Sequence, residues 1–271
     1  GVITTFADPA GIASTSVPDG IAAGPDGNIW YLNGGNNRIG RLDPDAGNIA
    51  ATITTFADPG GTASTNGPFR IAAGPDGNLW YTSSANDRIG RITPAGVITT
   101  FADPAGSSST DNPYDIVAGP DGNIWYTTGG SRIGRLDPDA GDVPASITTF
   151  GDPEFEVSSP LGLTAGPDGN VWFTAFSSTM IVRVTPPDAM TNPAHPAAPT
   201  STDHPMDITL GTDGNQRLGR CQANPPPAFI LGQGAQIGRQ LRRILAAPGD
   251  VGQMGLGAHL GHHLGRQAGV K

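Results

Sequence analysis

The sequence predicts an all-β protein, a β-propeller of four-stranded blades with four complete blades and a partial fifth. The first observation is a cassette of Gly-Pro-Asp-Gly-Asn, an apolar residue and Trp, which occurs at residues 24–30, 74–80, 119–125 and 166–172. The second is its period, because successive cassettes start 45 to 50 residues apart, the size of a propeller blade or of a paired-helix solenoid unit. The third is that no window of about 10 residues has helical periodicity, which favours the propeller.

The first unit supplies each strand of a blade in order. Ile21-Ala22-Ala23 is a short apolar run, and the Pro-Asp-Gly that follows favours a tight turn, since proline presets φ and glycine accepts a positive φ. Residues 29–32 are rich in β-forming side chains and predict a second strand. Residues 38–42 predict the third strand and, after a polar turn, residues 53–56 predict the fourth.

The later units repeat the same elements. Ile-Gly-Arg recurs at residues 89–91 and 133–135, and Ile-Thr-Thr-Phe recurs at residues 3–6, 98–101 and 147–150. The chain thus opens with a lone fourth strand, which we expect to complete the last blade and close the ring. The chain length corresponds to about six such units, so six or seven blades are predicted for the parent protein.

Charge and composition restrict the partners. Residues 1–215 carry a formal charge of −15, and residues 216–271 carry +6. An acidic repeat region repels phosphate backbones, so no nucleic acid partner is expected. No apolar run reaches the roughly 18 residues of a membrane helix, and no signal-peptide pattern is present. We therefore expect a soluble protein with no membrane partner, a monomer where the ring closes, and the sequence leaves its compartment open.

The repeat breaks after Asn215. A fifth cassette starts at Gly211, but Gln216 and Arg217 follow where the apolar residue and Trp should stand. Residues 216–271 contain no Ser, Thr, Trp or Tyr and hold all seven Gln residues of the chain.

This break predicts two regions. Residues 1–215 are interpreted as propeller blades, and residues 216–271 as a Gly/Arg/Gln-rich tail that is out of frame or disordered. A natural Gly/Arg-rich tail is the alternative.

Within the blades, residues 186–205 are rich in Pro, Ala and Thr. They are interpreted as an insertion that replaces a regular fourth strand.

Three segments recur in the same order in each of the first three units. In the second unit they read Gly-Pro-Asp-Gly-Asn-Leu-Trp-Tyr-Thr at residues 74–82, Asn-Asp-Arg-Ile-Gly-Arg-Ile-Thr-Pro at 86–94 and Gly-Val-Ile-Thr-Thr-Phe at 96–101. These segments resemble those of the virginiamycin B lyase family, streptogramin-cleaving β-propellers, over residues 1–215. The resemblance implies a seven-bladed ring and a Mg²⁺-assisted elimination that linearises a cyclic depsipeptide antibiotic at its ester bond.

The family's chemistry relies on a His in a Pro-His-x-Ile segment and on a Glu that ends a Trp-Phe-x-Glu strand. A general base must titrate, and Mg²⁺ prefers carboxylate oxygen. The equivalent proline segments begin at Pro18, Pro68, Pro113, Pro160 and Pro205, and none has His in second place. The Glu position holds Asn33, Ser83, Thr128 and Ala175, and the only Glu residues, Glu154 and Glu156, lie in a connecting loop. No catalytic residue is therefore assigned, and the chain as written is predicted to be inactive as a lyase.

The first strands carry the candidate ligand contacts. First strands of a propeller face the central channel, so the variable positions of the proline segments are predicted to line a ligand site. These candidates are Asp19, Phe69, Arg70, Tyr114, Asp115, Met206 and Asp207. Ordinary filling of the channel is the alternative, and no metal site is assigned within the chain.

Two repeated sets are assigned to the scaffold. The cassette tryptophans, at a fixed offset in each unit, are predicted to pack between blades; they are Trp30, Trp80, Trp125 and Trp172. The Ile-Gly-Arg arginines are predicted to pair with turn Asp residues; they are Arg41, Arg91 and Arg135.

Three functions remain open at this point. The first is a streptogramin lyase homologue, a carbon–oxygen lyase with Mg²⁺ as its implied cofactor. The second is a non-catalytic propeller that binds a small molecule or cyclic peptide on its channel face. The third is a lactonase-type propeller hydrolase, which needs a Glu/Asp/Asn metal set in the channel.

Overall fold

The computed structural model describes residues 2–6, 16–57, 65–104, 109–151, 158–186, 189–191, 205–211 and 215–220. These residues form four antiparallel sheets of four strands and one sheet of two strands. Two short 3-10 helices, Ile49–Thr52 and Pro144–Ser146, are the helical elements among them, and neither is long and apolar enough to cross a membrane. The predicted all-β propeller with four complete blades and a partial fifth is confirmed.

The strands are numbered along the chain. Blade 1 contains β1 (Pro18–Ala23), β2 (Ile29–Asn33), β3 (Arg38–Leu42) and β4 (Thr54–Phe56). Blade 2 contains β5 (Pro68–Ala73), β6 (Leu79–Ser83), β7 (Arg88–Ile92) and β8 (Ile98–Phe101). Blade 3 contains β9 (Ile116–Ala118), β10 (Ile124–Thr127), β11 (Ile133–Leu136) and β12 (Thr148–Phe150). Blade 4 contains β13 (Pro160–Ala165), β14 (Val171–Ala175), β15 (Met180–Thr185) and β16 (Ala189–Thr191), and blade 5 contains β17 (Pro205–Leu210) and β18 (Gln216–Arg220).

Each blade is a meander, because strands that are consecutive in the chain are hydrogen-bonded neighbours. Successive first strands are in contact: β1 with β5, β5 with β9, β9 with β13, and β13 with β17. Residues at the start of these strands therefore come together from different blades. This shared inner edge is where the sequence predicted ligand contacts.

The apolar core lies between the blades. Trp30 is fully buried against Ile71 and Leu79 of blade 2. Trp80 and Trp125 are buried in the same way against blades 3 and 4. The predicted packing role is confirmed for these three tryptophans, which join successive blades.

The Gly of Ile-Gly-Arg is explained by a close approach. Gly40 on β3 lies opposite Tyr31 on β2, and a Cβ at Gly40 would overlap the Tyr31 ring. The same cross-strand arrangement recurs at Gly90 and Gly134. Because the tyrosine ring covers this position in each blade, any side chain there would displace it.

Two strand predictions are wrong. Residues 3–6 form no strand and pair with no strand among the described residues, and Ile3 is almost fully exposed. Residues 186–205 were expected to lack a fourth strand, yet Ala189–Thr191 forms one and pairs with β15. Met190 there is the register partner of Val184, so backbone pairing with β15 extends the sheet in spite of the proline-rich surroundings.

The strand pattern continues past the predicted break. Gly211 N donates to Asn215 O at 2.7 Å, the bond that closes the turn of each intact cassette. β18 then pairs with β17, and Arg217 lies opposite Thr209 in the register position of the cassette Trp. The blade thus extends to Arg220, and the predicted domain boundary at Asn215 stays a prediction because residues 221–271 lie outside the described residues.

Candidate functional site

The seven candidate residues lie on or next to the first strands. Asp19 is on β1, Phe69 and Arg70 are on β5, Tyr114 and Asp115 directly precede β9, and Met206 and Asp207 are on β17. We call these seven residues the inner-strand cluster. Because successive first strands are in contact, the cluster runs across blades 1, 2, 3 and 5.

Arg70 lies at the meeting point of three blades. Its Nη1 donates to Asp19 Oδ1 at 3.0 Å and to the carbonyl oxygen of Phe69 at 3.1 Å. Its guanidinium carbon is 4.1 Å from the centroid of the Phe69 ring and 5.7 Å from that of Tyr114. The two rings are tilted by 55° with their centroids 4.5 Å apart. The side chains of Arg70 and Asp19 are each 37% exposed, so their ion pair contributes at most about 1 kcal/mol to stability. Contact with the two aromatic rings also holds the guanidinium in place.

Asp115 links blade 3 to blade 4. Its Oδ1 accepts from Ile116 N at 2.9 Å, and its Oδ2 accepts from Leu163 N at 2.7 Å. Burial raises the pKa of Asp115 to about 6, although the two backbone N–H groups and Arg70 act to lower it. The cost of desolvating the carboxylate is therefore larger than the gain from its hydrogen bonds.

Asp207 repeats half of this arrangement on blade 5. Its Oδ1 accepts from Ile208 N at 2.8 Å, and its side chain is exposed. A Cβ at Gly162 would lie 2.6 Å from the Cα of Asp207, so β13 and β17 approach closely only because blade 4 has glycine there. Met206, the preceding residue, is half-buried. Asp207 is the carboxylate of the cluster that remains open to a ligand.

The titratable groups of the cluster influence one another. Burial raises the pKa of Tyr114, Arg70 acts to lower it, and Asp115, Asp19 and Asp207 raise it further. Burial also raises the pKa of Asp19, and the neighbouring Arg70 offsets part of that effect. The cluster presents an aromatic surface, N–H donors and an open carboxylate. This combination suits a ligand that carries apolar rings and peptide groups.

Sequence reasoning missed a set of threonines two residues after the cassette Trp. Thr127 Oγ1 accepts from Asp115 N at 2.9 Å and donates to Leu161 O at 3.0 Å. Thr82 makes the equivalent two bonds in blade 2, each at 3.0 Å. One hydroxyl therefore ties the first strand of its own blade to that of the next. The signal was the recurrent Trp-x-Thr of blades 2, 3 and 4, where blade 1 has Leu32.

The cassette Asp has a structural role. Asp26 Oδ1 accepts from Trp30 Nε1 at 3.0 Å, and Asp26 Oδ2 accepts from Asn28 Nδ2 at 2.8 Å. Burial acts to raise the pKa of Asp26, but these hydrogen bonds outweigh it and lower the pKa. The Trp-to-Asp bond recurs at Trp80, Trp125 and Trp172, although Trp172 is only partly buried.

The contact that the Ile-Gly-Arg arginines have in common is with aromatic rings. The guanidinium carbons of Arg41, Arg91 and Arg135 lie 5.3 to 5.7 Å from the centroids of Trp and Phe rings of their own blades. Arg41 Nη1 also lies 4.0 Å from Asp26 Oδ2 and donates to Pro94 O at 2.9 Å. The predicted pairing with a turn Asp is thus observed for Arg41, whereas the cation–π contact is common to all three.

The positions equivalent to the family's Glu do not fit Mg²⁺. Ser83 Oγ and Thr128 Oγ1 each donate to a backbone carbonyl, at 2.8 and 3.1 Å. Asn33 and Ala175, in the same register, are fully buried. None of the four supplies a carboxylate, so they do not form the hard oxygen ligand set that Mg²⁺ requires. Glu154 and Glu156 lie outside the described residues.

The remaining described residues add no cluster of conventional metal ligands. Within those ranges, no group of three or more His, Cys, Asp or Glu side chains is arranged to hold a metal ion.

Comparison with known proteins identifies similar solved structures. No family model and no curated protein matches the chain. A catalytically inactive variant of virginiamycin B lyase from Staphylococcus aureus, determined with quinupristin, has a TM-score of 0.60 and 31% identity, and the match covers 75% of this chain and 63% of that one. The selenomethionine-substituted enzyme from the same organism has a TM-score of 0.61 and 30% identity, over 76% and 63% of the two chains.

The match is partial in length. This chain spans 63% of the length of those Staphylococcus aureus structures. A streptogramin B lyase structure at 21% identity, over 78% of this chain and 85% of that one, has a TM-score of 0.51 and shows the fold alone. The repeat, the blade topology and all three similar structures indicate a β-propeller, and the two Staphylococcus aureus structures indicate one similar to virginiamycin B lyase.

Proposed function

We propose that the inner-strand cluster of this chain, which is similar in structure to virginiamycin B lyase, binds a cyclic peptide of the streptogramin B class. The observation that carries this proposal is the contact of Arg70 with the rings of Phe69 and Tyr114. It places a guanidinium and two aromatic faces at the inner edge shared by the blades. The structure of a family member with quinupristin supports the choice of ligand class.

The cluster suits such a ligand in two ways. The tilted pair of Phe69 and Tyr114 offers apolar surface to the aromatic and aliphatic groups of a cyclic peptide. Arg70 carries N–H donors for peptide carbonyl oxygens, and Asp207 offers an exposed acceptor for peptide N–H groups. A cyclic peptide also loses little conformational entropy on binding, so it can bind without being enclosed in a deep pocket.

We infer that the described blades bind this ligand without cleaving it. Elimination needs a group that takes a proton from the substrate, and the described positions equivalent to the family's His and Glu hold other residues. Asp115 has a pKa of about 6, but both its oxygens accept backbone N–H bonds. Asp115 is therefore buried and bound to backbone N–H groups, which makes it a poor acceptor for a substrate proton.

Binding is tested by isothermal titration of the whole chain with quinupristin. Phe69→Ala and Tyr114→Ala are each expected to weaken binding by about tenfold or more, because one aromatic contact of the cluster is lost. Phe6→Ala is the matched control, since Phe6 is exposed and lies outside the cluster. The absence of heat from the wild-type chain, or equal affinity in all four proteins, would contradict the proposal.

Cleavage is tested by incubating the same chain with quinupristin and Mg²⁺, followed by chromatography and mass spectrometry. Elimination opens the ring without a change of mass and alters retention, whereas hydrolysis adds one water. We expect unchanged quinupristin. A product of unchanged mass would assign lyase activity to the chain, and a product heavier by one water would favour the lactonase alternative.

A further inference from the structure

The loops that join blade 1 to blade 2 are connected by hydrogen bonds of amide and hydroxyl groups. Asn37 has a left-handed φ of 56°, and its Oδ1 accepts from Gly67 N at 3.0 Å. Its Nδ2 approaches Asn66 Oδ1 at 3.5 Å. Thr65 Oγ1 donates to Asn37 O at 2.6 Å. Neutral amide and hydroxyl groups therefore hold this junction together.

The junction between blades 2 and 3 has the same backbone arrangement with different side chains. Asp87 has a φ of 57°, and its Oδ1 accepts from Asn112 N at 2.8 Å, as Asn37 accepts from its own neighbour. Asp111 stands where the first junction has Asn66. Two carboxylates thus replace two amides, and neither ionised carboxylate can donate a hydrogen bond to the other. Partial burial and the charge of Asp87 both raise the pKa of Asp111.

Neutral oxygens without partners lie at the same junction. Thr110 is fully buried, and its Oγ1 has no hydrogen-bond partner. The equivalent Thr65 donates to the carbonyl oxygen of Asn37, and Thr110 directly precedes Asp111 in the chain. Both polar atoms of the Asn86 side chain are also buried without a partner. Such groups are costly to bury unsatisfied, which indicates a missing partner at this point.

We propose that a calcium ion binds between Asp87 and Asp111, with the Thr110 hydroxyl and the Asn86 amide oxygen as further ligands. Ca²⁺ takes carboxylate, amide and hydroxyl oxygens in flexible geometry and retains water at open positions. Asp111 is exposed, so the ion has access from solvent. Two carboxylates at an exposed rim correspond to a weak site, with a Kd of about 10⁻⁴ to 10⁻³ M. This site is separate from the inner-strand cluster and does not depend on the proposed function.

The experiment is an isothermal titration of the whole chain with CaCl₂ at neutral pH, together with thermal unfolding with and without calcium. We expect one calcium ion per chain and a thermal midpoint that rises with calcium concentration. Asp111→Asn restores the amide found at Asn66, so it is expected to fold while its calcium affinity falls about tenfold or more. Asp45→Asn removes one exposed carboxylate of a turn elsewhere and should leave calcium binding unchanged.

Two results would overturn the proposal. The first is no calcium binding by the folded wild-type chain up to about 10 mM, which is about tenfold above the weakest Kd expected. The second is equal calcium affinity in the wild type and Asp111→Asn. The folding control is the thermal midpoint in EDTA. If the midpoint of Asp111→Asn is at or above that of the wild type, the lower calcium affinity of the variant comes from loss of the site and not from loss of folding.

Discussion

The carboxylate of Asp115 and the backbone N–H of Leu163 form a 2.7 Å hydrogen bond across the boundary between blades 3 and 4. The second carboxylate oxygen accepts from Ile116 N within its own blade. One side chain therefore fixes the spacing of two first strands inside the cluster proposed to bind ligand. Its chemistry affects stability and the shape of the site together.

Replacement of Asp115 by Asn is expected to destabilise the protein. The amide keeps one acceptor oxygen, but its NH₂ group then faces a backbone N–H, and one buried hydrogen bond is lost. The expected loss in the free energy of unfolding is about 1–3 kcal/mol, measured by urea denaturation. Asp139→Asn, at an exposed turn, is the control and should change the value by less than about 0.5 kcal/mol. Equal stability of Asp115→Asn and the wild type would show that the inter-blade bond is dispensable.

The raised pKa of Asp115 gives stability a specific pH dependence. Its pKa in the folded state is about 6, above the ordinary value of 3.8, mainly because the group is buried. The contribution of protonated Asp115 to the free energy of unfolding is therefore fully present below about pH 4 and is lost as the pH rises through 6. We expect the urea midpoint of the wild type to fall between pH 5 and pH 7, and to fall less in Asp115→Asn. An identical pH profile in the two proteins would contradict this assignment.

Gly40 is expected to tolerate no side chain. A Cβ there would overlap the ring of Tyr31, so Gly40→Ala must displace a buried tyrosine between two strands. The expected destabilisation is about 1–3 kcal/mol by chemical denaturation. Gly47→Ala is the matched control, because its Cβ would meet nothing within 4 Å. A similar effect of both substitutions would indicate that loss of glycine flexibility, and not overlap with the ring, is responsible.

Much of the fold could be predicted because local signals repeat. The cassette supplies turn residues and a Trp in each blade, and the Asp-to-Trp bond, as in Asp26 to Trp30, shows why the spacing is fixed. Strand β16 was missed because its residues carry no repeat of Ile-Thr-Thr-Phe, and pairing with β15 decides its structure. Tertiary context here overrides local composition.

The ligand-binding role of the inner-strand cluster stays a prediction, and its chemistry could not be read from the sequence. The first-strand residues come together as expected, yet the sequence does not show that Asp115 is occupied by backbone N–H groups while Asp207 is exposed. That difference depends on which neighbouring strand lies against each carboxylate. The aromatic contacts of the arginines were missed for a similar reason, since Arg91 lies over Trp and Phe rings of the two neighbouring strands, and strand pairing brings these groups together.

Ile21 marks an apolar face of blade 1 that is open in the described structure. Its side chain is 69% exposed, whereas the equivalent Ile71, Ile116, Leu163 and Ile208 are exposed by 7%, 5%, 5% and 3%. Ile71, Ile116 and Leu163 are packed in the same buried clusters as the cassette Trp of the preceding blade. An exposed apolar face of this kind promotes association between copies, so we expect the chain to self-associate.

Ile21→Thr is therefore expected to reduce self-association while the strand is retained, since Thr is also β-branched. Light scattering coupled to size-exclusion chromatography measures the mass, and urea denaturation of the same samples measures stability. Ile71→Thr is the matched control, because it buries a hydroxyl between blades and should cost about 1–3 kcal/mol without reducing association. A monodisperse monomer in the wild type, or unchanged association in Ile21→Thr, would show that this face does not drive contact between copies.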